Sequence, residues 1–159
     1  MAKVEYSETD QQKLDLISPL RQKLIEYHLA RSPKYFLRRY RGMNVVQRNP
    51  ELLEKASKGK MRIDLAKDME IDELVGYYVS TITEDRQGEI DSIYVESNYR
   101  GLGIGENLVK RALRWMDESL VTRKILEVGV GNEEVFIFYS RYNFYPRTVI
   151  LEQVETKDM

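Results

Sequence analysis

Apolar and polar positions change their rhythm near residue 60 of this chain. Between residues 10 and 60 the spacing is helical: Leu14, Ile17, Leu20, Leu24 and Leu29 recur every three to five residues, the period of an amphipathic helix. Asp10 is a candidate cap for it. Residues 2–7 alternate weakly and read as a short first strand. Ser32-Pro33 and Asn49-Pro50 each place a side-chain acceptor before a proline, a helix-start signal, and predict short helices over 33–39 and 50–57. From residue 61 the pattern is mixed. Residues 61–65, 73–83 and 89–95 read as strands joined by polar turns, two successive antiparallel hairpins. A helix over 106–117 buries Leu108, Val109, Ala112, Leu113 and Met116. A strand over 124–130, a helix over 133–142 and a closing strand over 149–154 complete the series.

Composition narrows the class. The chain has 159 residues, room for one domain. Twenty-five basic residues nearly cancel 26 acidic ones, which argues against a nucleic-acid partner and leaves only local patches. No apolar run reaches the roughly 18 residues of a membrane span. There is no cysteine, so thiolate metal sites and a cysteine nucleophile are excluded, and a cytoplasmic setting suits the chain. The single histidine, His28, removes a His-rich metal site and reads as a residue of a helix's last turn.

Three of nine glycines, Gly101, Gly103 and Gly105, fall within five residues, between a predicted strand and a predicted helix. Glycines there admit positive φ and close backbone approach, and the helix start adds unpaired N–H groups, a setting for phosphate. Neither a Walker A loop nor a dinucleotide fingerprint fits: Glu106 and Asn107 follow Gly105, and Leu108 stands where a further glycine would be needed. What remains is Arg100-Gly101-Leu102-Gly103-Ile104-Gly105, preceded by EIDSIYV and followed by Leu126-Glu-Val128 and by NEEVFIFYSRYNF from Asn132 to Phe144. Loop, asparagine and tyrosine in this order resemble the Gcn5-related N-acetyltransferase (GNAT) family over 75–154. Two departures are Val135, where the family has a small residue, and Asn143, where it has glycine.

The resemblance implies an α/β (α+β) fold: a mixed, largely antiparallel sheet flanked by helices in the order β-α-α-β-β-β-α-β-α-β. It implies one domain over 1–159, with 1–60 a mainly helical acceptor-side part and 61–154 an acetyl-CoA-binding core. It implies N-acetyl transfer from acetyl-CoA, without a metal, to a primary amine of a small molecule or peptide. Direct transfer in a ternary complex is expected, because no cysteine can carry the acyl group. By resemblance Tyr139 is the general acid, Glu89 the base, and Asn132 a contact for the pantetheine arm. The backbone of Ile93 and Val95 and the Arg100–Gly105 loop complete the cofactor contacts. Asp91 shares a strand face with Glu89, and it or a water chain remains an alternative base. A homodimer is compatible with the fold.

Eight basic residues crowd 21–48: Arg21, Lys23, Arg31, Lys34, Arg38, Arg39, Arg41 and Arg48. They read as a solvated helical face, with an acidic or phosphorylated acceptor, or RNA, as the functional alternatives. A different class of function, a non-catalytic acyl-CoA sensor or interaction module, is distinguished by thioester consumption with an amine panel.

Overall fold

The computed structural model describes residues 2–37 and 42–158. Strand β1 is Val4–Thr9. The Asp10 carboxylate then accepts from the Gln12 amide at 2.9 Å and caps a run of 3-10 turns, Gln11–Ile17, kinked at Lys13. This leads into helix α1, Ser18–Arg31. A second 3-10 turn, Lys34–Phe36, is all that the described residues show of the helix expected over 33–39, the rest of which lies outside them.

Helix α2, Val45–Ser57, starts a full turn before the expected position. Asn44 is its cap, accepting from the Gln47 amide at 3.2 Å, and Pro50 sits inside the helix. The Asn49-Pro50 pair misleads because Asn49 serves another purpose: its side-chain oxygen accepts a bond from Arg21.

Strands β2, Gly59–Asp68, β3, Glu73–Thr83, and β4, Gln87–Val95, follow as an antiparallel meander. A 3-10 turn over Ser97–Tyr99 and the glycine loop lead to helix α3, Ile104–Glu118. Strand β5, Arg123–Leu126, pairs parallel to β4, and helix α4 is Val135–Ser140. The sheet order is β1-β2-β3-β4-β5, so the mixed, largely antiparallel sheet flanked by helices is present. Its closing strand is not. Residues 149–154 have no strand structure. Their β-branched pattern is real, but among the described residues the sheet's strands do not include them.

Because strand side chains alternate, the sheet carries a core on each face. On one face Ile63, Leu65, Tyr77 and Val79 pack with Leu14, Ile17, Leu20 and Leu52 of the amino-terminal helices. On the other, Tyr78, Ile82 and Ile90 pack with Leu108, Val109, Ala112 and Met116 of α3 and with Tyr139 of α4.

Candidate active site

Strands β4 and β5 part company midway. β4 and β5 pair from Gln87 with Arg123 to Ile90 with Leu126 and no further. At that point β4 also bulges: Val79 faces Ser92 and Ser80 faces Ile90, so Asp91 is the extra residue with no β3 residue directly opposite in the ladder. An extra residue of this kind bends a strand and interrupts its ladder. From Asp91 to Val95 the β5-side edge of β4 is therefore open. The Glu96 amide bonds the Val75 carbonyl on the β3 side at 2.8 Å. Since successive residues of a strand direct their backbone groups to alternate edges, the amides of Val95 and Ile93 point into the opening.

The loop beyond β4 holds the expected geometry. Gly101 and Gly103 have φ of 79° and 81°, the left-handed region in which a side chain is strained. A β-carbon on either would meet nothing within 4 Å, so the space in front of both is clear. Gly103 is the N-cap of α3 and supplies no side-chain cap. The amide of Asn107 bonds the Gly103 carbonyl at 3.0 Å, whereas those of Ile104, Gly105 and Glu106 fall in the first turn, where a helix offers no acceptor. Ile104 is buried against the core and anchors the loop, while Leu102 is exposed. The Arg100 side chain folds back onto the end of β4. Its Nε donates to the Val95 carbonyl at 3.0 Å, and its guanidinium lies 5.5 Å from the ring centres of Tyr27 and Tyr94.

Two side chains beyond β5 complete this region. The Oδ1 atom of Asn132 is buried with no hydrogen-bond partner, although buried acceptors are nearly always satisfied. Tyr139 is buried between Phe138 and Phe144, with ring centres at 5.0 and 5.7 Å. Its hydroxyl lies 3.3 Å from that of Tyr78, the residue opposite Ile93 on β3. Burial pushes the Tyr139 pKa up to about 12, so the phenol is protonated at any physiological pH.

Glu89 lies on the opposite sheet face from Tyr139, and the structure does not bring the two together. Glu89 and Asp91 both bond the Lys55 ammonium of α2, Asp91 at 2.6 Å. Asp91 also accepts from the Thr81 hydroxyl at 2.6 Å, and its side chain is only 4 % exposed. Burial raises the Asp91 pKa, against the opposing pull of the Lys55 and Thr81 bonds. Burial alone would lower that of Lys55, but its bonds to the two carboxylates outweigh this and raise it.

The sequence model of the Acetyltransferase (GNAT) family matches residues 20–144. This chain belongs to the GNAT family. An uncharacterized N-acetyltransferase of Methanocaldococcus jannaschii is 33 % identical over 75 residues, 46 % of this chain. That match spans about a third of the relative's length, 32 %. An inferred acetyl transferase from Pyrococcus furiosus shares the fold with a TM-score of 0.68 at 26 % identity, over 94 % of this chain and 99 % of the other. A predicted acetyltransferase from Clostridium acetobutylicum, solved with acetyl-CoA, superposes with a TM-score of 0.67 at 15 % identity, over 95 % and 96 %.

Within this GNAT chain the amino-terminal helices contribute residues that the motif did not reveal. The carboxyl end of α1 reaches across to the loop after β5. The Tyr27 hydroxyl donates to Glu134 at 3.0 Å, and Arg31 lies 3.6 Å over the Tyr27 ring and 3.7 Å from Glu134. Much of the basic stretch is thus spent internally. Arg21 is buried and bonds Asn49, and Lys23 bonds Glu96 at 2.8 Å. Arg38, Arg39 and Arg41 lie outside the described residues. Helical spacing placed Tyr27 and Arg31 on one side of α1, but nothing in the sequence pointed them at Glu134. Among the described residues no helix is long and apolar enough to cross a membrane, and no group of His, Asp and Glu is placed to hold a metal.

Proposed function

We propose that this acetyltransferase moves an acetyl group from acetyl-CoA to a primary amine of a small molecule or peptide, directly and within a ternary complex. The observation that carries the reading is the open edge of β4 from Asp91 to Val95, lying beside a helix start whose first amides are uncapped. Acetyl-CoA supplies an activated acyl thioester when bound. The residues fit it. The amides of Gly101, Gly103 and the first turn of α3 would hold the pyrophosphate, with clear space before both left-handed glycines. The unpartnered Asn132 Oδ1 would accept from an amide of the pantetheine arm. The Ile93 and Val95 amides would form the backbone contacts along the open edge.

In this reading the C–S bond breaks as the new amide bond forms, the sulfur leaves as a thiolate, and the Tyr139 hydroxyl donates a hydrogen bond to it. With a pKa of about 12 against about 8.5 for a thiol, full transfer is uphill by about 5 kcal/mol. Tyr139 therefore acts as a hydrogen-bond donor that strengthens as charge builds on the sulfur. Glu89, on the other face, takes up the amine's proton, with Asp91 or a water chain as the alternative acceptor. Lys55 bonds both carboxylates and would have to give way to a cationic acceptor. The absence of cysteine from the sequence favours direct transfer over a cysteine-bound acyl group.

Tyr139→Phe tests the assignment, since it keeps the ring and removes only the donor. Turnover is expected to fall about a hundredfold, the scale of a lost general acid, with calorimetric affinity for acetyl-CoA unchanged. Turnover equal to wild type would remove Tyr139 from the chemistry.

A further inference from the structure

Tyr78 carries a hydroxyl that packing does not need. The residue sits at the middle of β3, between Asp64 of β2 and Ile93 of β4, and it is fully buried in the core shared with α3 and α4. A phenylalanine would fill that place without the cost of taking a hydroxyl out of water. Tyr77, its neighbour on the opposite face, satisfies its hydroxyl with an ordinary bond to Ser92 at 2.7 Å. Tyr78 does not. Among the described residues its hydroxyl has one hydrogen-bond partner, the hydroxyl of Tyr139 at 3.3 Å, longer than the usual O–H···O separation of about 2.7–2.8 Å.

Two buried hydroxyls that share one bond have one proton left over. One phenol donates to the other, and the second O–H meets no acceptor among the described residues. Burial keeps both groups protonated, with the Tyr78 pKa raised well above 10. The bond itself favours charge on the Tyr139 oxygen and disfavours it on Tyr78, which makes Tyr78 the donor of the pair. Helix α4 has only six residues, too few to hold a fixed position alone. The rings flanking Tyr139, those of Phe138 and Phe144, belong to its own segment, whereas Tyr78 ties its hydroxyl to the central strand of the sheet.

We propose that Tyr78 is the positioning residue for the Tyr139 hydroxyl: it donates to the Tyr139 oxygen and so leaves the Tyr139 proton free for the departing sulfur. The proposal rests on the reading of Tyr139 as the donor to the thiolate. No proton leaves Tyr78. As the C–S bond breaks and Tyr139 shares its proton with the sulfur, the Tyr139 oxygen gains negative charge, and the bond from Tyr78 shortens and strengthens. Linked hydroxyls polarise one another in this way. A hydrogen bond that is long in the free protein and tightens only during the reaction lowers the barrier without tightening binding.

Tyr78→Phe and Tyr139→Phe, made singly and together, test it with acetyl-CoA and three acceptors: a lysine peptide with a free amino terminus, a polyamine and a simple alkylamine. With the best of these, Tyr78→Phe is expected to lower kcat about tenfold, the scale of one hydrogen bond strengthened by charge. The KM for acetyl-CoA and the melting temperature are expected to stay at the wild-type values. The double variant is expected to turn over as Tyr139→Phe does alone, because Tyr78 acts only through the hydroxyl that the second substitution removes. Wild-type kcat in Tyr78→Phe overturns the proposal. So does a double variant in which the two losses multiply, or a kcat loss matched by a rise in KM for acetyl-CoA. Wild-type turnover in Tyr139→Phe, or no thiol release by the natural chain with any acceptor, removes the acid reading itself and the proposal with it. A second variant covers a fold that rejects phenylalanine: 3-fluorotyrosine at position 78 keeps the packing and, as a more acidic phenol, donates more strongly. Its kcat is expected above the wild-type value, and a kcat at or below that value overturns the proposal.

Discussion

An amide oxygen buried without a donor, as at Asn132, costs on the order of 1–3 kcal/mol in the free protein. Such a cost is tolerated where a ligand removes it. Asn132→Ala is therefore expected to leave the free protein as stable as before or slightly more so, while weakening acetyl-CoA binding about tenfold, the equivalent of 1.4 kcal/mol. Thermal unfolding and calorimetry on one preparation measure both. Reduced stability with unchanged affinity would make the residue structural. His28 gives a second test at this scale, because it is the one imidazole of the chain. Burial, then the charges of Arg48 and Arg31, hold its pKa below 6.5. The unfolded chain thus binds a proton that the folded chain refuses, so this contribution to stability is full above pH 6.5 and is lost as pH falls through the folded pKa. The single imidazole NMR resonance is expected to titrate below 6.5. Denaturation midpoints should fall from pH 7 towards 5, less so in His28→Gln. A titration at or above 6.5 would contradict the burial.

Elements show which parts of the site were legible beforehand. The glycine loop could be read because left-handed φ at Gly101 and Gly103 and an uncapped helix start demand particular residues at particular places. Asn143 is a parallel case, taking φ of 65° at the end of α4 where the family has glycine. The start of α2 misread because a local cap signal, Asn49-Pro50, was drawn into a tertiary contact with Arg21. The Lys55 bridge to Glu89 and Asp91 was illegible for a different reason: it joins α2 to β4 across 34 and 36 residues of sequence, and no local pattern encodes such a meeting. The junction of α1 with the loop after β5 is similar. Gly131 has φ of 101°, and a β-carbon there would lie 2.0 Å from the Arg31 carbonyl oxygen. Gly131→Ala must push the two apart, since both sides of the clash are backbone. Thermal unfolding should show a loss of more than about 2 kcal/mol. An unchanged melting temperature would show that the junction yields without cost.

For the molecule as a whole, the two cores divide the work. One fixes the amino-terminal helices on the face of Glu89 and Asp91; the other fixes α3 and α4 on the face of Tyr139. The near-zero net charge conceals this division, because basic residues of α1 are matched by Glu96 and Glu134 rather than left as a patch. The direct test of the account is release of free thiol from acetyl-CoA by the purified chain, with and without a panel of small and peptide primary amines. The account predicts thiol release that depends on at least one amine and matches acetylated amine mole for mole. A folded protein that binds acetyl-CoA but releases no thiol with any amine of the panel would contradict the transferase reading and leave an acyl-CoA-binding protein in its place.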